Sequence, residues 1–319
     1  VARGSGLEEG RDGASATAHE AEDGPARGRV WLWLLLPACG TVLLMATTNK
    51  ITQDVSVVPF LWVVPLGLYL STFILTFDSP RWYFRRWYTA ALLSCWVAVW
   101  WVLDKGVEAP ISVQLVIYSA TLFVTCMICH GELYRLRPAP RRLTAYYLTI
   151  SAGGAVGGVF VALGAPLIFD SYSEFHWGLW ASGVLLVAVC FRDRSVWAVG
   201  RWWGPSWVSL SLAVGLLAWG LWIHALRADE GAGPSTRNFY GVLTLFDYDA
   251  EDPENHYRLL RHGRITHGLQ FTNPDYARLP TTYFGETSGV GLAIRLTRTE
   301  AKRVGVVGLG GGTLATHGR

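Results

Sequence analysis

Read from the beginning, the chain is polar for 29 residues and then alternates between long apolar stretches and short polar loops. The stretches cover 30–48, 55–77, 87–103, 111–130, 143–169, 177–191 and 206–226. About 20 apolar residues in helical conformation cross a bilayer core. The pattern therefore predicts a mainly α-helical membrane bundle of about seven spans over 30–227, with the fifth stretch long and the sixth short. After Arg227 the period changes. Residues 238–246 read as a strand, and 257–261 and 264–271 as two more around a tight turn at His262-Gly263. A helix is predicted over 288–300, with Val290, Leu292, Ala293 and Leu296 on its apolar side. Residues 303–307 then read as a short buried strand leading into a glycine-rich turn and a helix start at Thr313.

Composition sharpens this picture. Apolar residues make up 51% of the chain and charged residues only 16%, with 16 Trp and 35 Gly. That excludes a disordered chain, a disulfide scaffold and a soluble enzyme along its whole length. Trp31, Trp33, Trp82, Trp87, Trp100, Trp101, Trp177, Trp202, Trp203 and Trp207 fall near span ends, where an amphipathic ring suits the headgroup layer. The net charge of +3 is too balanced for a nucleic-acid partner. All five cysteines lie in apolar stretches and imply no disulfide framework. Cys126-Met127-Ile128-Cys129-His130 has the spacing of covalent haem attachment, but its place at the end of an apolar run favours helix packing. The Gly-, Ala-, Glu- and Arg-rich opening, 1–29, reads as a solvated tail or linker. Because the sequence starts at Val1 and stops at Arg319 just after the glycine turn, it is expected to be a fragment.

Positive residues in short loops stay on the cytoplasmic side. One alternating set of loops holds twelve: Arg27, Arg29, Arg81, Arg85, Arg86, Arg135, Arg137, Arg141, Arg142, Arg192, Arg194 and Arg201. The other holds four: Lys50, Lys105, Arg227 and Arg237. The expectation is a multi-pass plasma-membrane protein with its leading tail in the cytoplasm. An odd number of spans would put the C-terminal segment outside, an even number inside. In the fifth stretch Gly153/Gly157 and Gly154/Gly158 form two overlapping G-x-x-x-G pairs, which let a partner helix approach closely. Asn49 to Asp54 reads as a short solvated turn, with a buried ion or substrate site as the sharper alternative. His130, Glu132 and His224 stand near span ends and are not assigned to a site. His256, His262 and His267 are placed on different faces of the hairpins, so no metal is expected.

The strongest chemical signal is Gly308-Leu309-Gly310-Gly311-Gly312-Thr313 after the strand at 303–307. Glycines there let the backbone approach a nucleoside, and the following helix start favours polar or anionic groups. The turn itself is shared by many nucleotide and S-adenosyl binders.

Flanking residues narrow it. Asn238-Phe239-Tyr240-Gly241, Arg264 to Phe271, Leu279 to Gly285 and the glycine turn together resemble the spermidine synthase family. In that family a small β-domain precedes a Rossmann-like domain binding decarboxylated S-adenosylmethionine. The apolar region, with Thr52-Gln53-Asp54 and Val58 to Leu66, resembles the bacterial membrane proteins in which a transporter-like bundle is fused to such a synthase domain. The resemblance implies a small β-rich domain over 228–302 and the truncated start of a Rossmann-like domain over 303–319. It places Gln270 and Tyr283 in the nucleoside and amine pocket and Gly308, Gly310 and Gly312 in the cofactor loop. Phe284 and Gly285 stand where the family has His and Glu, and Gly311 where soluble synthases carry Asp. The family's ribose-binding acid and its catalytic Asp would lie beyond Arg319, so no catalytic residue is assigned and this stretch alone is expected to be inactive. In the implied reaction a polyamine nitrogen attacks the methylene beside the sulfonium, and a carboxylate takes the amine proton. Two other readings stay open: a transporter of a small cation or amine with a regulatory tail, and an S-adenosyl-type binding or methyltransferase-like domain on a membrane anchor.

Overall fold

The structure, a computed structural model, describes residues 27–55, 58–192, 203–228, 232–238, 241–263, 265–297 and 303–318. The tail up to residue 26, Phe239, Tyr240, Arg264 and the end of the predicted 288–300 helix lie outside the described residues, as do the side chains of Gln53 and Asp54.

Among the described residues, six helices are long and apolar enough to cross a membrane. Helix α1 (Arg27–Asn49) continues through a π-helical turn, Lys50–Val55. Next come α2 (Val63–Asp78), α3 (Arg85–Lys105) and α4 (Ile111–Arg135). Helix α5 (Leu143–Val159) runs through a second π segment, Phe160–Gly164, into the one-turn α6 (Ala165–Ile168). Helices α7 (Glu174–Arg192) and α8 (Trp203–Ala228) complete the bundle.

The short member is α2, not the sixth stretch. Its stretch contains Pro59 and Pro65, and the chain turns over 58–62 before a helix of 16 residues begins. Proline fits the first helical turn, where its missing N–H has no intrahelical partner. At 1.5 Å per residue this helix is about 24 Å long.

It nonetheless traverses the bundle. Trp33 Nε1, near the start of α1, donates to the Leu136 carbonyl after α4 at 3.0 Å. Arg85, at the start of α3, pairs with Glu132 near the end of α4. The starts of α1 and α3 therefore lie at one end of the bundle, and α2 must run back between them. At the opposite end, His224 of α8 lies 3.2 Å from the Leu103 carbonyl of α3. The helices alternate between two ends, and Arg81, Arg85, Arg86, Arg135, Arg137, Arg141 and Arg142 all gather at the first.

The core is apolar and aromatic, with Leu36, Leu43, Leu92, Val99, Leu122, Tyr118, Phe175 and Leu186 almost fully buried. Several hydroxyl groups within the spans are satisfied locally, whereas those of Thr47, Thr89 and Thr125 are buried without a hydrogen-bond partner among the described residues. Thr48, Thr76, Thr121 and Thr149 each donate to the carbonyl four residues back, the arrangement available to a hydroxyl in an apolar setting. The predicted close helix approach falls between α5 and α1. A Cβ on Gly153 would lie 2.3 Å from the Leu34 carbonyl oxygen, and one on Gly157 2.4 Å from that of Ala38. Gly154 and Gly158 face α1 with ordinary spacing.

The C-terminal part forms a four-stranded antiparallel sheet in the order β1 (Ala232–Asn238), β2 (Gly241–Tyr248), β3 (Tyr257–His262), β4 (Ile265–Phe271). The single strand expected over 238–246 is corrected: Asn238 ends β1 and pairs with Gly241, so the chain reverses there. Gly241 has φ 139°, a backbone that L residues avoid and glycine accepts. Helix α9 (Gly289–Leu296) starts on the Ser288 hydroxyl, which accepts from the Gly291 N–H at 3.1 Å.

Residues 303–307 form no strand among the described residues, and Val307 is fully exposed. The buried strand expected there is thus corrected, since an apolar run becomes a buried strand only when neighbours cover it. Beyond it, Thr313–His317 is a short 3-10 turn.

Candidate functional site

Two places concentrate polar chemistry: the glycine turn on the sheet, and the arginine-rich end of the bundle.

The glycine turn docks on β4. Leu260 pairs with Gly268 while the next residue, Arg261, pairs with Thr266, so His267 is an extra residue bulged out of the ladder. A bulge leaves one residue unpaired and re-aims its backbone. The freed His267 carbonyl accepts from the Gly311 N–H at 3.1 Å, and the Tyr283 hydroxyl lies 3.5 Å from the same oxygen. Absence of a side chain matters here: a Cβ on Gly268 would come within 2.8 Å of Gly311 Cα. Gly308, Gly310 and Gly312 have φ of 85°, 56° and 72°, all in the left-handed region that glycine reaches without strain. His317 Nε2 sits 2.7 Å from the Phe284 carbonyl and closes the turn against 282–284.

Of the residues picked from the sequence, the structure thus brings together Tyr283 and Gly310 at one carbonyl, while Gly312 closes the turn by donating its N–H to the Leu309 carbonyl at 3.0 Å. Gln270 lies two residues along β4 on the side of Gly268, but it is exposed and directs its amide to the Ala277 carbonyl at 3.4 Å. His262 and His267 do not lie on different faces. Their rings stack with centroids 5.8 Å apart, because Ile265 pairs with His262 and His267 lies two residues further along the same face of β4. His256 instead pairs with Asp247 at 3.0 Å. Among the described residues no group of His, Cys, Asp and Glu could hold a metal ion.

The second cluster went unassigned in the sequence. Arg85 Nε and Nη2 each reach a Glu132 carboxylate oxygen at 2.5 Å, and the Tyr83 hydroxyl donates to Oε1 at 2.7 Å. The Arg85 and Glu132 side chains are only 2% and 1% exposed. A fork of this kind is favourable inside a protein because every charged oxygen is hydrogen-bonded. Gly131 makes room for it, since a Cβ there would lie 2.4 Å from the Tyr83 ring.

Two residues from Glu132, His130 is completely buried. Its Nδ1 lies 3.1 Å from the Thr72 hydroxyl, while Nε2 has no hydrogen-bond partner among the described residues. The rings of Tyr69 and Phe73 meet it edge-on. His130 and Glu132, expected near a span end and assigned to no site, do lie near the end of α4, and both are buried there. One signal was available: Glu132 is the only carboxylate between 111 and 142, a stretch with four arginines.

A third buried pair joins the sheet to the bundle. Glu174, first residue of α7, and Arg237 of β1 form two parallel hydrogen bonds of 2.8 Å. Arg237 also stacks over the Tyr172 ring at 4.8 Å. The Asn49–Asp54 segment is not a solvated turn. It continues α1 as a π-helix with Ile51 buried. All five cysteines are free, four of them buried among helices, as a packing role requires.

No family model matches the chain, and no curated protein and no solved structure is detectably similar to it.

Proposed function

We propose that this chain belongs to a multi-pass plasma-membrane protein whose small sheet and glycine turn begin an S-adenosyl-type site of the spermidine synthase kind, with decarboxylated S-adenosylmethionine as co-substrate and a polyamine as acceptor. One observation carries the reading: three glycines in left-handed conformation form a turn anchored beside Tyr283 on the bulged His267 carbonyl. Such a turn exposes backbone N–H groups without side chains in the way, which suits the ribose and charged tail of a nucleoside. A Rossmann-like character of 303–319 is part of the proposal, as is the pocket role of Gln270. By the positive-inside rule the arginine-rich end faces the cytoplasm. The sheet then occupies the other side, where its nucleoside must be supplied.

The test is equilibrium dialysis of radiolabelled decarboxylated S-adenosylmethionine against the chain in lipid nanodiscs. Binding is expected, and Gly310→Val, which forces a β-branched residue to φ 56° and towards the His267 carbonyl, should abolish it. Absence of binding by the parent chain overturns the reading.

His130 favours a second reading, transport of a small cation or amine through the bundle, because a buried imidazole with an unpartnered nitrogen is costly unless used. Uptake of labelled putrescine into proteoliposomes, lost in His130→Ala, would support it.

A further inference from the structure

The two faces of the small sheet differ in chemistry, and the contacts of β1 with the bundle fix which way they point. Paired residues of antiparallel strands project to the same face. Ser235 pairs with Thr244 and Arg237 with Val242, so these two side chains of β1 share a face with Phe246 and Tyr248 of β2. Phe246 in turn pairs with Leu259, Tyr248 with Tyr257, and Tyr257 with Phe271. Asp247 and Gly268 belong to the opposite face, where the glycine turn packs against Gly268.

The sheet meets the bundle through the aromatic face. Ser235 Oγ lies 3.3 Å from the Asp170 carbonyl, and Arg237 donates to the Ser171 carbonyl and to the Glu174 carboxylate. These partners follow the end of α6, where Leu167 and Ile168 are 87% and 65% exposed, as suits a rim that faces lipid. At its other end β1 starts at Ala232, shortly after α8 stops at Ala228. The strand is therefore held at both ends across the end of the bundle, with its aromatic face turned towards the membrane. Neighbouring strands stand about 4.8 Å apart and rotate by about 20–25° each. β2 and β3 thus lie roughly 5 and 10 Å to the side of β1 and keep much of its orientation.

What those strands present suits a bilayer surface. The rings of Phe246, Tyr248, Tyr257 and Phe271 stack in series on one another at 6.2, 5.1 and 5.9 Å, and Tyr248 remains 37% exposed. No carboxylate stands on the described strands of this face, and Arg261 lies over the Phe246 ring at 4.0 Å. Aromatic rings with a polar tip are favoured in the headgroup and glycerol layer.

We propose that the aromatic face of the sheet rests on the bilayer surface beside α6, with Phe246, Tyr248 and Tyr257 in the headgroup and glycerol layer and the glycine turn on the far side in water. This contact does not depend on what the glycine turn binds.

The test uses the unmodified chain, one copy per nanodisc of phosphatidylcholine, in which part of the lipid carries a diazirine near the glycerol. Illumination attaches the lipid to whatever lies beside it, and mass spectrometry locates the adducts. They are expected on Phe246, Tyr248 and Tyr257 as well as on Leu167 and Ile168, and not on 308–313. Tyr248→Asp puts a carboxylate on the face and should lose most of the β2 and β3 adducts while keeping those of Leu167 and Ile168. Gln270→Asp, on the opposite face, should keep both sets. Amide protection of β1 checks that each variant holds its sheet, and the result on the unmodified chain stands without them. Adducts on Leu167 and Ile168 with none on β2 or β3 would leave the face in water and overturn the proposal, as would equal labelling of 308–313. Loss of the β2 and β3 adducts in discs holding two copies would assign the face to a second copy of the chain and overturn the lipid contact.

Discussion

Arg237 on the first strand of the sheet grips Glu174 at the head of α7 through two parallel hydrogen bonds of 2.8 Å, with both side chains at least 96% removed from solvent. The pair spans 63 residues of sequence and connects the sheet to the bundle. Ser235 reinforces it from the same strand, its hydroxyl 3.3 Å from the Asp170 carbonyl.

Removing one partner should expose the cost of burying the other. Arg237→Ala leaves an unpaired buried carboxylate and should destabilise the junction by about 3–5 kcal/mol. Arg237→Lys cannot reproduce the fork and should recover only part of this. Replacing both residues by Leu and Met should cost far less than the single change. Thermal unfolding in nanodiscs, with hydrogen exchange read separately over the strands, would reveal the order.

At the α1–α5 contact, neighbouring glycines should differ sharply. Gly153→Ala and Gly157→Ala drive a methyl group into backbone carbonyls and should each cost about 1–3 kcal/mol. Gly154→Ala and Gly158→Ala meet side chains at 3.5 Å and 3.8 Å and should be nearly neutral. Thermal midpoints of the four variants in one detergent decide the matter.

Around Glu132, Tyr83→Phe removes a hydrogen bond to a charged group and should cost about 1.5–3 kcal/mol. Gly131→Ala should cost more, because it displaces the Tyr83 ring and breaks the same bond. Tryptophan fluorescence of the folded state against denaturant would separate the two.

Acidification should loosen the outer part of the sheet. His256 and Arg258 both hydrogen-bond to Asp247 and hold its carboxyl below the ordinary carboxylate range. A depressed native value adds stability above the unfolded value of about 3.9, and that contribution fades as pH falls through the native value. Protection of the β2–β3 amides should therefore drop at low pH in the parent chain. Asp247→Asn should start lower and respond less.

The bundle was readable from the chain because a bilayer demands long apolar helices, and their lengths and flanking tryptophans are written in the sequence. Glycine spacing on α5 gave the close contact, although it did not name α1 as its partner. The β3–β4 hairpin followed from His262-Gly263. Harder to read were features set by tertiary pairing. Asn238 looks like the start of a strand until Gly241 pairs with it across the turn. Arg85 and Glu132 resemble solvated loop charges until α3 and α4 bring them together. The apolar run at 303–307 has the composition of a buried strand, yet no element among the described residues covers it.

His267 fixes the phase of β4. Because the strand is one residue out of step there, Thr266 and Ile265 stay paired with Arg261 and His262 while the next carbonyl turns outward to the glycine turn. Deleting His267 would let the ladder close without interruption. The strand would remain, but it would be continuous, and Gly311 would lose the acceptor that docks it. The anchor of the turn is therefore a matter of counting: it exists by virtue of one surplus residue, and no substitution at 267 that keeps the backbone in place would remove it.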